Sequence, residues 1–178
     1  MEWTGARYAD SPTVTASTRI AAEPERVWAV VSDIAVMPAL SDELQAVEWT
    51  DGAAGPALGA AFLGHNRHPS IGEWTSRSQI IACDRPRAFA WSVGDPDAPA
   101  ATWGFALTPE SGDPVATTLT YTAQLGPGRS GLSLAIEAMP EKEQTIVFVR
   151  LREFETALTN TLAAIKRLAE GPAAAKAD

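Results

Sequence analysis

This chain is short of the groups on which several common chemistries depend. Of 178 residues only one is cysteine, Cys83, so no intrachain disulfide can form and no cysteine-based zinc site can be assembled. A lone thiol suits a reducing cytoplasm, which is the expected location. No stretch of about 18 uncharged apolar residues occurs, so no membrane insertion is expected. Met1 to Pro12 lacks the basic and apolar regions of a secretory signal. Positive charge is scarce as well. Fourteen Lys and Arg against 22 Asp and Glu leave a formal net charge of -8 without any basic run, which excludes nucleic acid and anionic headgroups as partners. There is no glycine-rich phosphate loop and no Gly-x-Ser-x-Gly elbow, and Cys83 has no assignable base beside it.

What is present is a clear succession of periods. Val14, Ala16, Thr18 and Ile20 alternate with Thr15, Ser17 and Arg19, as in a half-buried strand that stops at Ala22. Pro24 suits the first turn of a helix, whose inward stripe is Val27, Trp28, Val30, Val31 and Ile34. A second short helical or looped piece, Val36 to Asp42, follows. Period two then governs six candidate strands: Leu44 to Thr50, Ala60 to Arg67, Glu73 to Cys83, Arg87 to Val93, Ala101 to Thr108 and Val115 to Leu125. Gly- and Pro-rich connectors between them imply an antiparallel meander. Glu141 to Glu170 is one long amphipathic helix, with Val147, Leu151, Phe154, Leu158, Leu162 and Ile165 inward and Lys142, Arg150, Arg152, Lys166 and Arg167 opposite. The expected fold is α+β: a curved antiparallel sheet of about seven strands wrapped around a long C-terminal helix, with two short helices after the first strand. Residues 13–170 are expected to form a single domain between flexible tails, 1–12 and 171–178, and the glycine-rich loop Gly126 to Leu134 is a candidate gate.

Particular segments carry a resemblance. Ser17 to Asp33 with its Ile-Ala-Ala-Glu-Pro-Glu-Arg-Val-Trp core, Phe62 to Arg67 followed by Trp74, Pro86 to Trp91, Thr102-Trp103, and Asn160 to Glu170 are similar to the START-like, birch-pollen-allergen-like superfamily, in its bacterial polyketide cyclase/dehydrase and lipid-transport branch. The resemblance implies a helix-grip fold with a hydrophobic cavity between sheet and last helix. It implies no cofactor and a hydrophobic small molecule as partner, while an acidic surface and exposed edge strands are compatible with a monomer or homodimer. Fold alone does not choose between a cyclase or dehydrase and a non-catalytic carrier or sensor of an apolar ligand.

The middle strands supply the candidate site. If Trp74 points inward, period two places Ser76 and Ser78 with it, and Phe62, Gly64 and Asn66 form the inward set of the preceding strand. Asn66, Ser76, Ser78 and Tyr121 are then polar handles of an apolar pocket, or alternatively satisfy one another in the core. Trp28, Phe89, Trp91, Trp103, Phe105, Val147, Leu151 and Phe154 are the expected apolar lining. Parity puts His65 and Arg67 on the outer face. In the resembled aromatase/cyclases a cavity arginine and tyrosine direct ring closure, which makes Arg67 and Tyr121 candidates beside Asn66, and Arg67 would need a bulge to turn it inward. A metal set of His65, His68 and Glu73 is set aside: His68 adjoins Pro69 in an expected turn, and no second partner orients the ligands.

Overall fold

The period-two segments become one sheet because each has an apolar face to bury. A computed structural model describes residues 2–112 and 115–171. Its strands are β1 (Thr13–Ile20), β2 (Leu44–Thr50), β3 (Ala61–His68), β4 (Gly72–Asp84), β5 (Ala88–Asp95), β6 (Ala98–Glu110) and β7 (Ala116–Leu125). All pair antiparallel in the order β1-β7-β6-β5-β4-β3-β2. Only β1 leaves the meander, because α1 (Pro24–Val31) and a 3-10 helix (Ile34–Leu40) carry the chain from one sheet edge to the other. That second helix is 3-10: Asp33 caps it through Ala35 N–H at 3.0 Å, and Pro38 cannot donate a helical hydrogen bond.

The last helix, α3 (Glu143–Glu170), has 28 residues and is therefore about 42 Å long. It starts two residues later than its periodicity predicts, since Pro140–Lys142 forms a separate 3-10 turn. Val147, Leu151, Phe154, Leu158, Leu162 and Ile165 are buried along one stripe. That stripe packs on β1 and β7, and α1 fills the space beside it against β6 and β7. Among the described residues no helix packs down onto the concave face of β3, β4 and β5, and α3 stands over it across a gap. This half-coverage creates the site described below.

Two expectations need correction. Residues 131–134 of the expected gate loop are helical, the first half of α2 (Gly131–Ala138), at whose start Ser130 and Ser133 cap each other reciprocally. Gly128 is packed so tightly that a side-chain carbon there would lie 1.8 Å from the Ala98 carbonyl oxygen. The expected tail before residue 13 is tied down. Tyr8 is buried, and its hydroxyl donates to the Gly128 carbonyl at 2.6 Å and meets Ser130 Oγ at 2.9 Å. Arg7 pairs with Glu143, and Trp3 packs edge-on against Phe148. The expected C-terminal tail lies outside the described residues beyond Gly171.

Candidate ligand-binding cavity

A cavity of about 500 Å³ occupies the uncovered half of the concave face. Strand alternation supplies its floor: Phe62, Gly64 and Asn66 on β3, Ser76 and Ser78 on β4, and Phe89, Trp91 and Val93 on β5. Trp103 and Tyr121 close one side, while Ile34, Met37 and the segment 41–44 close the other. The roof is α3, through Phe154 and a row spaced by four, Glu153, Ala157 and Thr161, beside the main stripe. Such walls hold their shape because the rings support one another. Phe105 stacks on Tyr121 at 4.1 Å, Trp103 contacts Phe154 at 4.7 Å, and Trp91 sits among Phe62, Phe89 and Phe105 at 5.9–6.4 Å.

Polar groups interrupt this surface at a few places. Asn66 Nδ2 donates to the Gly64 carbonyl at 2.9 Å and to Ser76 Oγ at 3.2 Å, so its side-chain oxygen remains available. Tyr121 is fully buried, and burial pushes its phenol well above the usual range. It is therefore a hydrogen-bond donor and not a base. A charged group lies at the mouth. Arg150 clamps Glu43 with two hydrogen bonds of 2.5 and 2.8 Å, donates to Glu153 at 2.9 Å and lies over the Phe154 ring at 4.5 Å. Burial alone would lower the Arg150 pKa, but the bonds to Glu43 and Glu153 outweigh that and hold it above its ordinary value. The Thr161 hydroxyl donates to Leu40 O at 3.0 Å, a second tie between α3 and the segment beside the mouth.

The expected site residues separate into groups. Phe62, Asn66, Ser76, Ser78, Phe89, Trp91, Trp103, Tyr121 and Phe154 come together around the cavity. Trp28, Phe105, Val147 and Leu151 do not reach it: they are buried in the core, Trp28 edge-on against Phe89. Trp74 shares a face with Ser76 but sits beyond it toward the β3–β4 turn, opposite Asn66. Arg67 borders the mouth while exposed, and the irregularity in this part of the sheet lies on β2, between Leu44 and Ala46, not on the strand of Arg67.

Sequence reasoning missed the mouth. His68 was assigned to a turn, yet it has the same parity as Asn66 and lines the cavity, 3.7 Å from Glu153. His65 points away, toward Glu48 at 3.4 Å and Thr75 at 3.2 Å, so His65 and His68 cannot converge on one ion. The cluster that does form is Glu43, His68 and Glu153, with ligand atoms within 4.8 Å of one another. The Arg150 guanidinium already supplies the positive charge between its two carboxylates, so this donor set does not suit a second cation. Arg150 itself was placed on the wet face of α3, and only its ion pairs explain its inward turn. The four-residue row Glu153, Ala157, Thr161 was the available signal for this edge of the helix.

Comparison with known proteins agrees with this architecture. A polyketide-cyclase-like protein of Corynebacterium glutamicum is 30% identical, with a TM-score of 0.63 over 89% of this chain and 91% of that one. An aromatase/cyclase from Streptomyces superposes with a TM-score of 0.60 at 16% identity, covering 88% and 94% of the two chains. A di-domain aromatase/cyclase of the steffimycin biosynthetic pathway gives 0.62 at 14% identity, with 90% of this chain spanning 52% of that one. At such identities the last two show a shared fold. No curated protein matches the sequence. Among the described residues no helix is long and apolar enough to cross a membrane. The family model for polyketide cyclase/dehydrase and lipid transport matches residues 11–170, and the chain belongs to that family.

Proposed function

We propose that residues 13–170 act as one unit that encloses a hydrophobic small molecule, polyketide- or lipid-like, and promotes its cyclisation or dehydration without a cofactor. The carrying observation is the cavity's division of labour: an aromatic interior with polar groups confined to a few points, Asn66 with Ser76, Tyr121, and the mouth cluster. A carrier needs shielding alone, and a uniformly apolar interior would serve it. Here Asn66 and Ser76 are 3.2 Å apart and can reach the same ligand atom. Arg67 at the rim adds a positive charge for an anionic or enolate-like group. The single thiol supports a reducing, cytoplasmic location, and the acidic surface is compatible with a monomer or homodimer.

The direct test is native mass spectrometry of the purified protein, followed by turnover assays on whatever co-purifies. An apolar ligand of fixed mass, converted to a product lighter by water or isomeric with it, supports the reading. A ligand released unchanged under every condition favours the carrier, and a protein that binds no apolar compound overturns both.

A further inference from the structure

The mouth cluster does more than close the cavity. Ser70 N–H donates to His68 Nδ1 at 3.2 Å, so that nitrogen is an acceptor and the ring proton resides on Nε2. Nε2 faces Glu153 Oε1 across 3.7 Å, too far for a formed hydrogen bond and open to a ligand atom. Glu153 is oriented in turn: Arg150 holds its Oε2 at 2.9 Å, which leaves Oε1 on the cavity side. Glu43 occupies two other contacts of the same guanidinium, so Arg150 cannot follow Glu153 away from the mouth.

We propose that Glu153 and His68 form an enolisation site for ketones, which rests on the cavity being the ligand site proposed above. Glu153 Oε1 removes a hydrogen from the carbon beside the carbonyl. The C–H electron pair moves into the new C=C bond, the carbonyl π pair moves onto oxygen, and that oxygen accepts a hydrogen bond from His68 Nε2–H. The proton stays on Glu153 and is returned in the reverse step or to the carbon skeleton after ring closure, so no redox partner is involved. The dimensions fit: a carbonyl oxygen and its α-carbon are about 2.4 Å apart, given bond lengths of about 1.2 and 1.5 Å, and the two groups facing them are 3.7 Å apart. A carboxylate base paired with an imidazole N–H donor is a combination suited to making enolates. His68 serves here as a donor through Nε2–H, because its Nδ1 accepts from the Ser70 N–H. The ligand class is therefore an apolar ketone with at least one α-hydrogen.

The probe is 2-tetralone in deuterated buffer, with α-hydrogen exchange followed by proton NMR and binding followed by quenching of tryptophan fluorescence, since Trp91 and Trp103 line the cavity. Wild-type protein should accelerate exchange at least 100-fold over buffer. Glu153→Gln should lose that acceleration while still binding. His68→Leu should lose most of it, and His68→Gln, which keeps an N–H donor but cannot titrate, should recover at least a tenth of the wild-type rate. Equal loss in His68→Gln and His68→Leu would overturn the donor role. Binding of 2-tetralone without any exchange would overturn the enolisation site and leave the binding function standing. If neither 2-tetralone nor a series of apolar ketones binds, the cavity reading falls with it.

Discussion

Asn66 shows how much one side chain's partners decide. Its amide nitrogen is spent on Gly64 O and Ser76 Oγ, which leaves one acceptor oxygen for a ligand hydroxyl. Asn66→Ala should weaken binding of a hydroxylated ligand about 5- to 10-fold, as expected for one hydrogen bond of about 1–1.5 kcal/mol, and should leave a matched hydrocarbon ligand unaffected. Calorimetric titration of the two ligands makes that comparison. Tyr121 gives a pH dependence with a definite sign. Its folded pKa is raised above the unfolded value of about 10, so at high pH the unfolded chain loses this proton first. Stability from this group is therefore intact below about pH 10 and declines above it, by up to about 1.4 kcal/mol per pH unit. Tyr121→Phe should flatten the alkaline limb of a urea-denaturation series, and an unchanged limb would mean that the hydroxyl reaches solvent.

At the scale of elements, α3 is held by two different devices. Its stripe packs on β1 and β7, and Leu158, fully buried, should cost about 2–5 kcal/mol when cut to alanine. Its other edge is tied to the mouth by Arg150 to Glu43 and by Thr161 to Leu40. The N-terminal segment is a third tie. Tyr8→Phe removes a hydroxyl whose contacts are the Gly128 and Ala100 carbonyls and Ser130. It should destabilise the fold by about 1–3 kcal/mol, seen as a lower urea midpoint at an unchanged m-value. Ligand affinity should not move, since neither Tyr8 nor its partners line the cavity.

For the whole molecule the governing feature is that one helix covers half of a seven-stranded sheet. Cavity size then follows from the side chains of the other half. Val93 borders the cavity, and Val93→Trp should take up part of its roughly 500 Å³. We expect polycyclic ligands to lose at least 10-fold in affinity and small monocyclic ones to lose little. Thermal denaturation should show an unchanged fold, because the added ring enters space that is already open.

The order of strand, helix and meander, and the inward faces of β3 and β4, were legible in the sequence alone. Period two and period 3.6 report which face of an element avoids water, and that is a local property. Parity, with the face of Trp74 taken as inward, puts Phe62, Asn66, Ser76 and Ser78 on one face, and these four border the cavity although Trp74 does not. The same rule already held the information that His68 shares Asn66's face, but the neighbouring Pro69 drew it into a turn. Tertiary structure decided the rest. Which apolar residues border the cavity and which lie beneath α1 and α3 depends on where each helix lands, so Trp28, Phe105, Val147 and Leu151 look no different in sequence from Phe89 and Phe154. The mouth joins His68 of β3, Arg150 and Glu153 of α3, and Glu43 of the segment before β2. A charged side chain reads as solvent-facing until a partner is brought within reach, and only the folded chain brings Glu43 to Arg150.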